Sequence, residues 1–199
     1  MWQAKSFTVC LLICLFCLFE VSAQQEFSGS NPTHQRGKLN AKYQLEVFVD
    51  FQCPTCAAYN KKLDALRKKY PNDILITFRN FPLSIPAHDK ALLAAKIAEA
   101  AGKQNKFWEM YDLLLRDQQK WTANKLAEQI FASYARKLRL NIKEFTADLK
   151  SKDVAERISL DLERAKFLKL YSTPSVLLNG KILDFTDALN LEEIISKDK

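Results

Sequence analysis

The spacing of apolar residues is irregular near the N-terminus and becomes periodic further along the chain. Leu45, Val47 and Val49 lie two positions apart, the period of a β-strand with one buried face. After Pro54 the apolar residues recur at steps of three and four, which predicts an amphipathic helix with a stripe formed by Cys56, Tyr59, Leu63, Leu66 and Tyr70. A β-branched run at 74–78 predicts another strand. A strand, a helix and a strand in this order indicate a right-handed parallel unit.

The segment 87–170 has the periodicity of helices almost throughout. Alanines recur on one predicted helical face, where they allow close helix packing, at Ala91, Ala94, Ala98 and Ala101. Asn141 followed by Glu144 resembles a capping box, the signature of a helix start. Two further apolar stripes repeat every three or four residues within 126–138 and 154–165. We expect four or five helices in this segment.

The C-terminal segment predicts a β-hairpin followed by a closing helix. Two short apolar runs are separated only by Asn179 and Gly180, the dipeptide that most favours a two-residue hairpin turn. The pattern over about 186–196 predicts a helix that buries Leu189 and Ile194 or their neighbours. The element order β-α-β, helical block, β-β-α predicts an α/β fold with an inserted helical domain.

The first 23 residues have the order of a secretory signal. Lys5 precedes an apolar run from Phe7 to Phe19, and Val21-Ser22-Ala23 follows before a polar stretch begins. At about 1.5 Å per residue, a helix of this run is shorter than the roughly 30 Å hydrocarbon layer. Cleavage is therefore favoured, although retention as an anchor stays open. We expect an exported protein, most simply a periplasmic one.

The remaining chain divides by composition. A polar stretch that contains glycine and proline but has no period predicts a linker after the signal. The predicted organisation is then a signal peptide at 1–23, a linker at 24–41, an α/β domain at 42–86 and 171–199, and an inserted helical domain at 87–170.

Composition and charge limit the kinds of partner. Of the 199 residues 48% are apolar, enough for a buried core, and 30 basic against 23 acidic residues give a formal net charge of +7. Basic residues crowd the first predicted helix, but without interleaved aromatic residues or zinc-finger spacing. Nucleic acid is therefore not an expected partner, whereas weak attraction to acidic proteins or membrane surfaces fits the charge.

Cysteine usage points to redox chemistry. Three of the five cysteines lie in the predicted signal, so the mature chain keeps only Cys53 and Cys56, called the cysteine pair below. In an oxidising compartment, a lone pair separated by two residues is typical of a redox couple. An inert pair and a two-thiolate metal site remain alternatives. A structural zinc site usually has four ligands, and only His34 and His88 are available as histidines, for which exposed or capping roles are simpler.

The positions of the two cysteines predict different roles. Cys56 belongs to the apolar stripe and should face inward, whereas Cys53 precedes the first turn and should face outward. Unpaired N–H groups and the dipole at a helix N-terminus favour a thiolate at Cys53. We therefore expect Cys53 to attack and Cys56 to resolve the mixed disulfide, with no organic cofactor or metal beyond the Cys53–Cys56 disulfide itself.

The string Asp50-Phe51-Gln52-Cys53-Pro54-Thr55-Cys56 resembles the DsbA-like family of thiol:disulfide oxidoreductases. The segments Arg79-Asn80-Phe81-Pro82-Leu83, Phe107-Trp108-Glu109-Met110-Tyr111 and Thr173-Pro174-Ser175 extend the likeness over 43–199. The resemblance implies a thioredoxin-like fold with a helical insertion, so that the α/β domain is the thioredoxin-like part.

The resemblance also implies roles for residues around the cysteine pair. It implies that Pro174 is a cis proline beside the disulfide and that the backbone at Thr173 pairs with an extended substrate segment. Pro54 and Thr55, between the cysteines, would support the active site. Strong oxidants of the family carry a histidine at the place of Thr55, so we expect a milder oxidant here.

A second departure from the strong oxidants lies six residues before the first cysteine. They carry a buried acid at this position, where the present chain has Val47. Glu46 is one place off, so strand alternation should turn it to the opposite face.

These observations predict an exported enzyme that exchanges disulfides with protein thiols. Oxidation is the favoured direction, and a membrane redox partner would then reoxidise the enzyme. A reductase or isomerase of the same fold is the alternative, and a dithiolate metal chaperone or a redox-inactive binding module is a further one. Because no dimerisation segment is evident, we expect a monomer.

Overall fold

A mixed sheet forms the centre of the structure, a computed structural model that describes residues 33–198. Within this range the strand order is β1-β3-β2-β4-β5. Strands β2 and β3 run parallel, and the other neighbouring strands are antiparallel. The strands span β1 His34–Gly37, β2 Tyr43–Val49, β3 Ile74–Asn80, β4 Ser175–Leu178 and β5 Lys181–Ile182.

The predicted strand–helix–strand unit is confirmed. Helix α1 spans Pro54–Lys69 between the parallel strands β2 and β3. Pro54 occupies the first helical position, where its missing N–H costs nothing, and Cys53 is the extended residue before it. The predicted stripe is buried at every position, at Cys56, Tyr59, Leu63, Leu66 and Tyr70.

The segment between β3 and β4 contains six α-helices, so the prediction of four or five was wrong. After a 3₁₀ turn at Pro86–His88, they span α2 Ala91–Gly102, α3 Phe107–Arg116, α4 Gln118–Trp121, α5 Ala127–Lys137, α6 Ile142–Asp148 and α7 Lys152–Phe167.

Two of the helix ends show why the periodicity hid the breaks. Helices α2 and α5 are followed by the left-handed residues Asn105 and Arg139, both with φ of +58°. Leu140 N–H returns to the Ala135 carbonyl at 3.0 Å, as in a Schellman end. Arg139 is not a usual stop signal, whereas Asn105 is a residue type that favours this conformation but lies three positions beyond the end of α2.

Strand β1 corrects the prediction of a linker over 24–41. His34–Gly37 pairs antiparallel with β3, and the His34 ring stacks on Phe107 with a centroid distance of 3.4 Å. The exposed or capping role predicted for His34 is therefore wrong. Edge strands pair through their backbone and need no apolar alternation, which is why the sequence pattern missed β1. The predicted signal peptide at 1–23, and the linker up to residue 32, lie outside the described residues.

The C-terminal hairpin is confirmed, and the closing helix is divided. Asn179 and Gly180 both have positive φ, +48° and +82°, as the two-residue turn between β4 and β5 requires. The closing segment forms α8 Phe185–Leu189 and α9 Leu191–Lys197, with a break at Asn190. The break shifts the buried positions from the predicted Leu189 and Ile194 to their neighbours Ala188, Leu191 and Ile195.

The two faces of the sheet carry different chemistry. Val47 lies in the main apolar core together with Cys56. Glu46 lies on the opposite face, where it pairs with Arg79 and with Arg164 of α7 at 2.8 Å each. The prediction for Glu46 is confirmed, and the main-core face below the cysteine pair has Val47 in place of an acid. Within 33–198 no helix is both long and apolar enough to cross a bilayer.

Candidate active site

The cysteine pair lies at the N-terminal end of α1, and both residues are free thiols. Cys53 is 7% exposed and Cys56 is 2% exposed. The prediction that Cys53 faces outward is wrong, because Cys53 is buried as Cys56 is, although a slightly larger fraction of it is exposed.

The surroundings of Cys53 favour its thiolate. A hydrogen bond from the Cys56 thiol lowers the pKa of Cys53 most strongly, and burial acts in the opposite direction. Hydrogen bonds from Thr173 and from the backbone N–H groups of Cys56 and Thr55 add to the lowering, and the pKa falls to about 5. The two N–H groups belong to the first turn of α1, where such donors have no helical partner. Cys53 is therefore ionised at neutral pH.

Cys56 responds in the opposite direction. Burial raises the pKa of Cys56 well above 9.0, and the neighbouring Cys53 sulfur raises it further. At neutral pH the site thus holds a thiolate at Cys53 and a thiol at Cys56. This asymmetry gives the pair one sulfur ready to attack and one that holds its proton.

The predicted substrate-binding and supporting residues surround the pair. The Thr173–Pro174 peptide bond is cis, and the Thr173 carbonyl lies 3.4 Å from Cys53 Sγ. The Thr173 hydroxyl is buried, and its hydrogen bonds to the sulfurs lower the pKa of both thiols. Pro54 and Thr55 are exposed beside the sulfurs. The structure thus brings all six predicted site residues together.

Asp50, the first residue of the string that resembles the DsbA-like family, holds the loop before the cysteine pair. It is completely buried. Its Oδ1 accepts Gln52 N–H at 2.7 Å, and its Oδ2 accepts Leu83 N–H at 2.9 Å and contacts His88 Nδ1 at 2.6 Å. His88 is therefore a half-buried partner of Asp50, and the exposed or capping role predicted for it is wrong. Within 33–198 no three His, Cys, Asp or Glu side chains are grouped to hold a metal ion.

Gln118 connects the helical insertion to the same loop, and sequence reasoning missed it. Its Nε2 donates to the carbonyls of Phe51 at 2.8 Å and Cys53 at 2.9 Å. Gln118 is buried, at 6% exposed, and lies in α4, 65 residues after Cys53. No local pattern around Gln118 indicates this contact.

Gln118→Glu is expected to raise the pKa of Cys53 by about one unit. The new carboxylate has nearly the same shape, but it cannot donate to the two carbonyls and places a negative charge near the thiolate. The matched control is Gln119→Glu, which adds the same charge at an exposed position of the same helix. Thiolate absorbance measured against pH gives both values. Identical titration curves for the two variants would contradict the positioning role of Gln118.

The mixed sheet, the helical insertion and the thiol pair at the start of α1 define a thioredoxin-fold thiol:disulfide oxidoreductase. The family model described as thioredoxin matches residues 30–197. BdbD from Bacillus subtilis, in its oxidised crystal structure, has the same fold with a TM-score of 0.70 at 20% identity, over 83% of this chain and 94% of that one.

One curated relative narrows the assignment, and a second contains a similar segment within a longer chain. The probable disulfide bond formation protein D of Bacillus cereus is 32% identical over 169 residues, which cover 81% of this chain and 76% of that protein. The chain belongs to the DsbA-like family of thioredoxin-fold thiol:disulfide oxidoreductases. The Na(+)/H(+) antiporter NhaA 1 of Mycolicibacterium gilvum is 35% identical over 150 residues, 74% of this chain but only 23% of the antiporter. The chain thus spans about a quarter of that relative's length.

Proposed function

We propose that this protein catalyses thiol–disulfide exchange on exported proteins and works first as an oxidase through the Cys53–Cys56 disulfide. The observation that carries the proposal is the opposite behaviour of two sulfurs one helical turn apart. The pKa of Cys53 is lowered to about 5, whereas burial raises that of Cys56 well above 9.0. In such a pair, one sulfur is suited to attack and to leave as a thiolate, and the other is suited to cleave the mixed disulfide.

The oxidase reaction proceeds through a mixed disulfide. A client thiolate attacks Cys53 Sγ of the enzyme disulfide, a client–Cys53 bond forms, and the electron pair of the broken bond leaves on Cys56. A second client thiolate then attacks the client sulfur and expels Cys53 as a thiolate. The client is oxidised by two electrons and the cysteine pair is reduced. Thr173, beside Cys53, offers a backbone carbonyl for pairing with an extended client segment.

The ionisation of Cys53 bears on the direction of exchange. A reactive cysteine with a pKa of about 5 lies between free cysteine at about 8.5 and the strongest oxidants of this kind at about 3.5. A stabilised thiolate favours the reduced enzyme and so makes its disulfide oxidising. The intermediate value, together with Thr55 in place of a histidine, supports an oxidase milder than the strongest ones.

The remaining parts of the proposal concern location and partners. Export would use the signal at 1–23, and the client proteins would be met outside the cytoplasm, most simply in the periplasm. Reoxidation of the cysteine pair would require a membrane redox partner. The protein would act as a monomer, without a metal or organic cofactor.

Equilibration of the purified protein with glutathione buffers tests the direction. We expect a reduction potential between about −120 and −230 mV, where the disulfide oxidises client thiols. Refolding of a reduced disulfide protein, run beside reduction of insulin, should then favour oxidation. A potential near about −270 mV, with activity only on insulin, would support the reductase alternative instead. Activity in neither assay would contradict the proposal and leave a binding module.

A further inference from the structure

A polar groove of about 600 Å³ adjoins the start of α1. Gln52 and Pro54, the neighbours of Cys53 on either side, form one wall of it. The turn that contains His88 forms a second wall, and α4 with Gln118 and Gln119 forms a third. The lining consists of amide, hydroxyl, charged and imidazole groups together with proline and alanine, with no large aliphatic side chain. A client segment in this groove would meet Cys53 from the side of its flanking residues.

His88 is the imidazole in this groove, and Asp50 fixes its orientation. The distance from His88 Nδ1 to Asp50 Oδ2 is 2.6 Å, and Asp50 is completely buried. Three donors surround the Asp50 carboxylate, because Gln52 and Leu83 N–H groups also bind it. A carboxylate can only accept hydrogen bonds, so the Nδ1 of His88 carries the proton, and Nε2 of the neutral ring is left as an acceptor.

We propose that His88, oriented by Asp50, exchanges a proton with the client sulfur that reacts at Cys53. The inference rests on the proposed function and adds the proton acceptor to it. Asp50 orients the His88 imidazole in a groove whose wall includes the residues on either side of Cys53, and a positioned imidazole is suited to general acid–base catalysis.

The protons and electrons balance in the oxidative direction. The client S–H proton passes to His88 Nε2, and the client thiolate forms a bond to Cys53 Sγ. The Cys53–Cys56 bond breaks, and Cys56, whose pKa is high, takes a proton from solvent. The second client thiol loses its proton to solvent and attacks the client sulfur that is bonded to Cys53. This releases Cys53 as a thiolate, and His88 returns its proton to solvent. The oxidant is the enzyme disulfide. In the reverse direction protonated His88 protonates the departing client sulfur.

Single-turnover oxidation of a short peptide dithiol by the full-length disulfide form tests the proposal across pH. In this form Cys53 and Cys56 do not titrate, and the charged groups that face His88 are Asp50, Asp89 and Lys90. In His88→Gln we expect the rate constant to fall about tenfold or more near pH 6.5. The deficit should close above about pH 9, where the peptide thiol ionises without help. Free imidazole in the buffer should restore part of the rate.

The matched control is His34→Gln, the same change at the other histidine of the chain, which lies in β1 against Glu99 at 2.8 Å. It should keep the wild-type rate at every pH. Asp50→Asn should reproduce the loss near neutral pH, which provides a second variant. The proposal for His88 would be overturned if the rate of His88→Gln were lowered equally at all pH values, or not lowered at all. In either case, oxidation of the peptide by the wild-type protein would leave the proposed function standing. A wild-type protein that oxidises no peptide would overturn both.

Discussion

Cys53→Ser is expected to reduce thiol–disulfide exchange to the uncatalysed background. A serine hydroxyl does not ionise at neutral pH and cannot form a disulfide, so both the attacking group and the enzyme oxidant are lost. Serine is close to cysteine in size, and circular dichroism should confirm an unchanged fold. Refolding of a reduced client and reduction of insulin measure the loss. Exchange above background in this variant would contradict the assignment of Cys53 as the attacking sulfur.

Cys56→Ala separates attack from resolution. Cys53 remains and can still attack a client disulfide, but the sulfur that cuts the mixed disulfide is absent, so client adducts should accumulate on Cys53. Non-reducing electrophoresis and mass spectrometry of the adducts identify the linked residue. The double variant Cys53→Ser/Cys56→Ala is the control, since it retains the three N-terminal cysteines. Equal adduct formation by the double variant would assign the trapping to those residues instead.

Asp161→Asn is expected to lower the free energy of unfolding by about 1–3 kcal/mol. Asp161 of α7 pairs with Arg79 Nη1 at 3.1 Å and with Arg157, and it accepts the backbone N–H of Asn80 at 2.9 Å. Arg79 and Asp161 are each 2% exposed. The variant removes one of the two carboxylates that pair with the buried Arg79, which costs more than a surface pair because water cannot replace it. Glu46 stays paired with Arg79, and burial raises the pKa of Asp161, so the loss is smaller than for a buried charge left alone. Urea denaturation of the reduced protein measures the change.

Glu193→Gln is the matched control for Asp161→Asn. It also changes a carboxylate to an amide and also breaks an ion pair at a spacing of four residues, with Lys197 of α9. Both partners are exposed, so we expect a change below about 0.5 kcal/mol. Similar losses in the two variants would show that burial does not govern the effect of the Asp161 pair.

The elements that sequence could predict are those whose signal is local. The stripe from Cys56 to Tyr70 repeats with helical period, Pro54 marks the first turn, and Asn179-Gly180 encodes a turn with two positive φ angles. Each signal lies within one continuous segment of the chain, so no distant contact was needed to read it. The helix break at Arg139 escaped prediction because a residue that is not a usual stop signal adopts the left-handed conformation there.

The sequence by itself determined that the two cysteines have different surroundings, because one precedes a helix N-terminus and the other lies on the buried stripe of that helix, a difference that local geometry alone produces. Only the tertiary structure decided which distant groups complete the site. Gln118 reaches the Cys53 carbonyl across 65 residues, and His88 reaches Asp50 across 38. Such contacts depend on how the helical insertion and the loop after β3 pack on the sheet, and a single sequence carries no periodic signal for that packing.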